Sequence, residues 1–537
     1  MCSKVVVIFV LVPVSFLVIL LALNTVTSRQ RQFQWDMNRK DVTSLPQLDR
    51  ERIQQRAERL AKALTIQTIS WERDVFETEA LLQLHQHLKN SFPLIHSSPS
   101  IQVNVINGYS LLYTIHGSNN DKNDGVLPPY MLAAHLDVVP VANGTWKVAD
   151  PFEGRIIDGI IYGRGALDDK SSVMGILEAL EFLLENKYNF HRTFYIGFGH
   201  DEEVSGFEGA GHIAKHLKET GVSHLDFVLD EGYFVLEDLV EGVDDLVSVI
   251  GVTEKGYATL ELSVEMTPGH SSIPPKETAI GVLAKAVLAL ETNPHPSMFG
   301  HGPEMDFFSY ISSSAKIGHS VLFSNLWLLS PLLSKLLSRS PVTDAIQRTT
   351  TAVTIIQGGY KHNVIPGSAS ATVNHRIHPA DSLDQVIEHN RRVINDPRVR
   401  IKVIDYYPPT PISPYGLDVS AFNLIASSVK QIYPSSVIAP GLRSMSADLQ
   451  TSKVHFYLVL ACSPANTDLR RYVELSDHLY RITPTVLTPV TRGGIHGDDE
   501  QITIEHYHNF IRFYVALMLN ADQPEAGHLT VRHHREL

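Results

Sequence analysis

With 537 residues, 44% of them hydrophobic, the chain is long enough for two globular domains. A net charge of −13 and the lack of any long basic run argue against a nucleic-acid partner. The only cysteines are Cys2 and Cys462, which excludes a disulfide scaffold and a cysteine-built zinc site.

Val5–Leu23 is almost continuously apolar and lies between Lys4 and the polar run Asn24–Gln34. Its length is close to the ~20 residues of a membrane span, whereas Pro13, Ala22, Thr25 and Ser28 suit a cleaved leader. Residues 1–28 are therefore expected to be a signal peptide or a signal anchor, followed by a polar stalk over 29–45. Either outcome puts the rest of the chain on the luminal or extracellular side, with secretion the favoured expectation. The single sequon Asn143-Gly144-Thr145 agrees, and makes Asn143 a glycosylation site.

Asp49–Leu64 and Thr78–Leu88 read as amphipathic helices, the first with Asp49 as its N-cap, and Ile101–Ile106 with Leu111–Ile115 as a strand pair. A polar loop, Asn119–Leu127, precedes the strand Met131–Asp137. Residues two apart on a strand share a face, so His135 and Asp137 look into one site. Gly163, Arg164, Gly165 and Ala166 then turn the backbone toward the carboxylate pair Asp168 and Asp169. Val173, Ile176, Leu177, Leu180 and Leu184 follow at helical spacing. Asp168 thus sits where a loop feeds a helix, with Asp169 as a possible N-cap. Taken singly, such residues are more often structural ion pairs or caps.

The combination grows along the chain. The strand Thr193–Phe198 ends at His200, Asp201, Glu202 and Glu203, and the apolar run Leu225–Leu229 ends at Asp230, Glu231 and Gly232. Three strands therefore deliver acids, or acid plus imidazole, to their C-terminal ends, the edge where open α/β sheets bind ligands. Imidazole with carboxylate suits zinc, and a bridging carboxylate with two ions suits hydrolysis.

From Thr253 the pattern changes. Strands at Gly256–Met266, Thr350–Ile356, Val364–His375 and Val399–Ile404, with helices at Ala279–Leu290 and Gln385–Ile394, predict an inserted four-stranded α+β unit. Asn293–Arg348 is longer than a usual connection and holds the apolar run Val321–Ser338, broken on sequence grounds at Ser330 and Pro331. A pair of core helices accounts for it; so does a wall for an acyl chain or a face for a lipoprotein or membrane surface. A helix at Asp418–Ile432, a loop at Ser444–Ser452 and a strand at Phe456–Leu458 return the chain to the larger unit. The glycine-rich loop Thr491–Glu500 presents His496 ahead of a helix at His506–Leu519.

In order, HLD, GRGALDDK, DEE, LDEG, PGHSS, NVIP and GGIHG resemble the motifs of the di-zinc aminoacylase/carboxypeptidase family, over roughly Arg52 to Leu519. That family includes bacterial glutamate carboxypeptidase, aminoacylase and yeast vacuolar carboxypeptidase S. The resemblance implies an α/β fold: a large di-zinc peptidase-type catalytic domain (46–252 and 408–523) interrupted by a smaller α+β lid or dimerisation domain (253–407). The lid carries the apolar insert 293–348, and 524–537 is a polar tail.

By the same resemblance two Zn2+ are held by His135, Asp168, Glu203, Asp230 and His496, with Asp168 bridging and Glu231 the alternative to Asp230. Glu202 is the general base, Asp137 orients His135, His270 stabilises the oxyanion, and Asn363 and Arg376 bind substrate. The implied activity is hydrolysis, and in reverse synthesis, of N-fatty-acyl amino acids from free fatty acid and amino acid. A homodimer through the lid is the implied assembly. A carboxypeptidase acting on small peptides is the competing reading, and a non-catalytic fatty-acyl carrier the competitor of a different class.

Overall fold

The computed structural model describes residues 2–30, 50–118, 127–142, 144–443 and 467–523. The Asp49 cap, nearly all of the Asn119–Leu127 loop, Asn143, the segments expected at Ser444–Ser452 and Phe456–Leu458, and the polar tail lie outside them.

Alternation of side chains builds the larger layer. On the strand Tyr130–His135, Tyr130, Leu132 and Ala134 join one apolar cluster while Met131 and Ala133 join another on the opposite face. Both faces must then be covered. The first is packed by the helices Arg50–Leu64, Lys170–Glu185, Ser420–Ile432 and Ile504–Ala521, and the second by Ala210–Glu219 and the short helix Asp468–Arg471. A strand buried on both sides reads as an unbroken apolar run, which is why MLAA carries no polar alternation.

Among the described residues the sheet holds ten strands. In spatial order they are Val486–Leu487, Val235–Leu236, Val247–Glu254, Leu479–Arg481, Val228–Asp230, Tyr130–His135, Phe194–Gly199, Ser110–Ile115 and Ile101–Ile106, with Val437–Arg443 paired beside Val247–Glu254. Tyr130–His135 runs parallel to both Phe194–Gly199 and Val228–Asp230. Their C-terminal ends therefore coincide, and His135, the Gly199–Glu203 turn and Asp230 emerge at one edge.

A second sheet of four antiparallel strands has the order Thr350–Gly358, Ser368–Ile377, Gly256–Glu265 and Val399–Tyr407. The helix Ala279–Thr292 covers it over a core of Leu262, Val264, Val282, Leu283 and Val373. The stretch read as one strand from Val364 to His375 is two. Val364–Ile365 pairs with Gly269–His270, and after Pro366-Gly367 a new strand begins at Ser368, because proline lacks the donor that would continue the ladder.

The apolar insert corrects one expectation. It forms the helices Ile317–Ser324 and Leu326–Leu337, bent by 114° at Asn325, and Pro331 lies inside the second helix. Asn325 ends the first helix because its side-chain amide binds the carbonyl of Val321 at 2.8 Å. One side of the pair is core, with Phe323, Leu326, Leu333 and Leu337 buried; Trp327, Leu328 and Leu332 face outward.

Candidate metal centre

His135 ends its strand and Asp137 follows two residues later. The His135 Nδ1 lies 3.0 Å from the Asp137 carbonyl and 3.3 Å from its carboxylate, while its Nε2 faces Asp168 Oδ1 at 2.9 Å. The Asp137 carboxylate also accepts the backbone N–H groups of Glu202 (3.1 Å) and Glu203 (3.2 Å). One buried acid thus fixes the imidazole and the turn that carries two further acids.

Asp168 and Asp169 precede the helix Lys170–Glu185 and are joined by a cis peptide bond. Asp169 occupies the N-cap position, but its carboxylate is taken by the Ser172 hydroxyl and the His135 N–H. The two oxygens of Asp168 face opposite partners, His135 on Oδ1 and His496 on Oδ2 at 3.1 Å. His496 also lies 3.3 Å from Glu203 Oε2.

His496 reaches this position from a backbone at φ +55°, in the left-handed region. A Cβ on Gly497 would lie 1.9 Å from the Gly493 carbonyl, so the tight loop demands glycine there. Ligand atoms of His135, Asp168 and Glu203 all fall within 4.8 Å of one another. Asp230 stands one strand over. Its Oδ1 accepts the Glu231 N–H at 2.9 Å and its buried Oδ2 has no hydrogen-bond partner among the described residues.

The electrostatics describe a pocket with too much negative charge for its burial. Burial pushes Glu202 well above the usual carboxylate range, and burial with Glu231 alongside raises Asp230 to about 7. Burial also opposes charge on His496, but Glu203 and Asp168 hold its imidazolium up at about 10. Orphaned buried oxygens on Glu202, Glu203 and Asp230, beside two imidazoles, are the donor set a divalent cation compensates. The residues fit such an ion.

Of the other sequence-selected residues, Arg376 lies on the four-stranded sheet, while His270 and Asn363 belong to a separate two-stranded pair and the turn before it. His270 is exposed, with Nδ1 bonded to the Ser272 hydroxyl at 2.7 Å, and its strand pairs with the one that begins just after Asn363. Arg376 lies on the central strand Ser368–Ile377 with its guanidinium 5.7 Å from the Tyr257 ring centre. These three make no direct contact with the His135–Asp168–Glu203 cluster among the described residues.

Two acids missed at the sequence level stand close by. Glu500 is fully buried and binds Arg164 at 2.6 Å. Asp468 is buried with neither oxygen hydrogen-bonded among the described residues, and burial with Asp230 and Asp201 nearby pushes its carboxyl well up.

The family model for peptidase family M20/M25/M40 matches residues 131–520, a span that contains the whole cluster. The chain belongs to this family. It is 40% identical over 512 residues to an N-fatty-acyl-amino acid synthase/hydrolase of Xenopus tropicalis, covering 95% of this chain and 94% of the relative. The enzyme of the same name in Homo sapiens is 40% identical, over 88% of this chain and 89% of its own. A probable carboxypeptidase S-like protein of Dictyostelium discoideum is also 40% identical, covering 87% and 85%. Among solved structures, an M20 family metallo-carboxypeptidase from Sulfolobus solfataricus aligns with a TM-score of 0.56 at 17% identity, over 87% of this chain and 99% of that one. Human carnosine dipeptidase 1 aligns with the same score at 14% identity, over 88% and 97%. These two likenesses establish the fold.

Proposed function

We propose that the chain is a metal-dependent amidohydrolase that cleaves N-fatty-acyl amino acids and, run backwards, forms them from free fatty acid and amino acid. The observation that carries this reading is 40% identity over 95% of the chain to an enzyme of that name. In this reading His135, Asp168, Glu203, Asp230 and His496 hold two zinc ions. Asp168, whose two oxygens face different imidazoles, would help hold both ions. Zinc, when bound, supplies positive charge against the amide oxygen and brings the pKa of coordinated water to about 7.

The chain's own groups do the rest. Glu202, buried with Oε1 unpartnered, takes a proton from the attacking water and delivers it to the leaving amide nitrogen. Asp137 fixes the tautomer and orientation of His135. His270, once the smaller sheet closes as a lid, donates to the oxyanion at the former carbonyl. Asn363 and Arg376 hold the amino-acid carboxylate, with Arg376 suited to a bidentate contact. Amide hydrolysis and condensation share one transition state, so the concentrations of acid, amine and product set the direction. The catalytic part works outside the cytosol, and pairing of lids between two copies is the proposed assembly.

The test is purified protein incubated with a mixture of acyl amino acids and read by mass spectrometry, with and without chelator. Chelator-sensitive release of fatty acid is expected, and formation of acyl amino acid when the two products are supplied at high concentration. Equal likeness to the carboxypeptidase S-like relative favours a second reading, trimming of small peptides. Faster hydrolysis of a dipeptide than of an oleoyl amino acid would replace the first reading by the second.

A further inference from the structure

The N-terminal apolar segment and the apolar insert, far apart in sequence, are clasped together. The helix Cys2–Gln30 lies against Ile317–Ser324. Asn24 Nδ2 donates to the Ser324 carbonyl at 2.6 Å, and Asn325 Nδ2 lies 3.1 Å from Thr25 Oγ1 and 3.3 Å from the Leu21 carbonyl. Thr25 is 3% exposed and Asn325 is wholly buried. A buried amide costs free energy unless its hydrogens are taken, and here the Val321 carbonyl of the insert is joined by partners from the first helix of the chain.

Among its described side chains, the first helix is mostly exposed outside this clasp. Phe16, Val18, Ile19 and Leu23 are each more than half exposed, and the segment Val5–Leu23 spans about 30 Å as a helix, the thickness of a bilayer's hydrocarbon core. On the insert side Trp327, two residues past Asn325, is 56% exposed, and Leu332 is 51% exposed. Tryptophan beside an apolar span favours the interface between hydrocarbon and water. Lys4 precedes the apolar segment and Arg29 follows it, so each end is charged and its middle is not.

We propose that the first helix is retained as a bilayer anchor and that the clasp through Asn24, Thr25 and Asn325 lays Trp327 and Leu332 on the same phospholipid surface. The clasp does what a flexible tether does not: it fixes the orientation of the catalytic unit relative to the membrane. This seat stands independently of the substrate reading.

The test uses the full chain made in cells and then reconstituted in palmitoyl-oleoyl-phosphatidylcholine vesicles. N-terminal sequencing and alkaline carbonate extraction should find the first helix present and the chain in the membrane pellet. A soluble chain that begins beyond Thr25 overturns the proposal. With acyl-brominated phosphatidylcholine in the vesicles, the emission lost between wild type and Trp327→Phe isolates Trp327, and roughly half of it should be quenched.

No quenching of that component overturns the seat, as does a dimer in mild detergent with Trp327 shielded from brominated lipid. Asn24→Ala with Thr25→Val should leave the chain in the pellet while Trp327 quenching is lost. Full quenching in that variant overturns the clasp.

Discussion

Glu500 and Arg164 form a buried ion pair at 2.6 Å that fastens the loop bearing His496 to the loop bearing Asp168. The same carboxylate accepts the N–H groups of Leu167 (2.7 Å), Gly165 (3.1 Å) and Asp168 (3.1 Å), while Arg164 donates to the Gly497 carbonyl at 2.9 Å. Two members of the cluster, drawn from opposite ends of the sequence, are thus held in register by one acid that touches neither imidazole.

Glu500→Ala should therefore act as a positioning defect. Leaving Arg164 charged, buried and unpaired costs on the order of 3–5 kcal/mol, to be read from urea unfolding. Metal content after dialysis should fall in parallel. Replacing both partners, Glu500→Leu with Arg164→Leu, removes the unpaired charge but leaves the N–H groups of Gly165, Leu167 and Asp168 unbonded, so it should recover only part of the stability and none of the metal affinity. Equal recovery of both would make the pair a packing device only.

Glu202→Gln separates proton transfer from metal binding. The amide keeps the shape and removes the base, so metal content by elemental analysis should be unchanged while kcat falls about 10²–10⁴-fold. Retained turnover would remove Glu202 from the reaction.

Metal removal should loosen the fold as well as stop catalysis. Without a cation, and beyond the effect of burial, Glu203 raises Glu202 and Glu231 raises Asp230 by like-charge repulsion, and an ion that binds only the folded state stabilises it by mass action. Differential scanning calorimetry should show the unfolding midpoint dropping with chelator and rising with the logarithm of added zinc. A midpoint indifferent to zinc would contradict a metal at this cluster.

A pH response is expected from a buried histidine group away from the cluster. His295 stacks on His389 at 4.0 Å between ring centres and meets the edge of His375 at 5.5 Å, with Asp381 4.0 Å from its Nδ1. Burial, with His389 beside it, lowers His295 to about 3, and burial lowers His375 to about 4.

Both are neutral in the fold but take up protons near pH 6.5 once unfolded, so the unfolded state gains as pH falls below about 6.5. Stability from this source is complete above that pH and is lost progressively toward about 4 for His375 and about 3 for His295. His295→Phe, which keeps an aromatic ring at a position whose Nε2 is unbonded among the described residues, should flatten the acid limb of a thermal-midpoint profile. An unchanged limb would shift the cause elsewhere.

Much of the cluster was legible because period-two alternation and glycine punctuation are local. MLAA places His135 at a strand end, GRGA turns the chain before Asp168, and GGIHG presents His496. What local pattern does not reveal is which of several adjacent acids turns inward. Asp498, Asp499 and Glu500 look alike in sequence. In the fold Asp498 takes the Thr145 hydroxyl at 2.7 Å, Asp499 takes the N–H groups of Lys147 and Val148, and only Glu500 enters the interior. Packing decided that.

The insert teaches the same lesson from the other side. Pro331 is the obvious breaker, but the bend falls at Asn325, whose amide takes the Val321 carbonyl of its own helix and is also held by a helix three hundred residues away. A tertiary partner outweighed a local preference. Asp468, which follows a stretch outside the described residues, carried no signal beyond being one acid among 58 acidic residues.

His135 and His496 lie 361 residues apart in the chain, yet both lean on Asp168. A ribosome must therefore release almost all of its product before the pocket can be finished. The nascent chain is inert until then, and catalytic competence arrives as a single late event instead of growing with length.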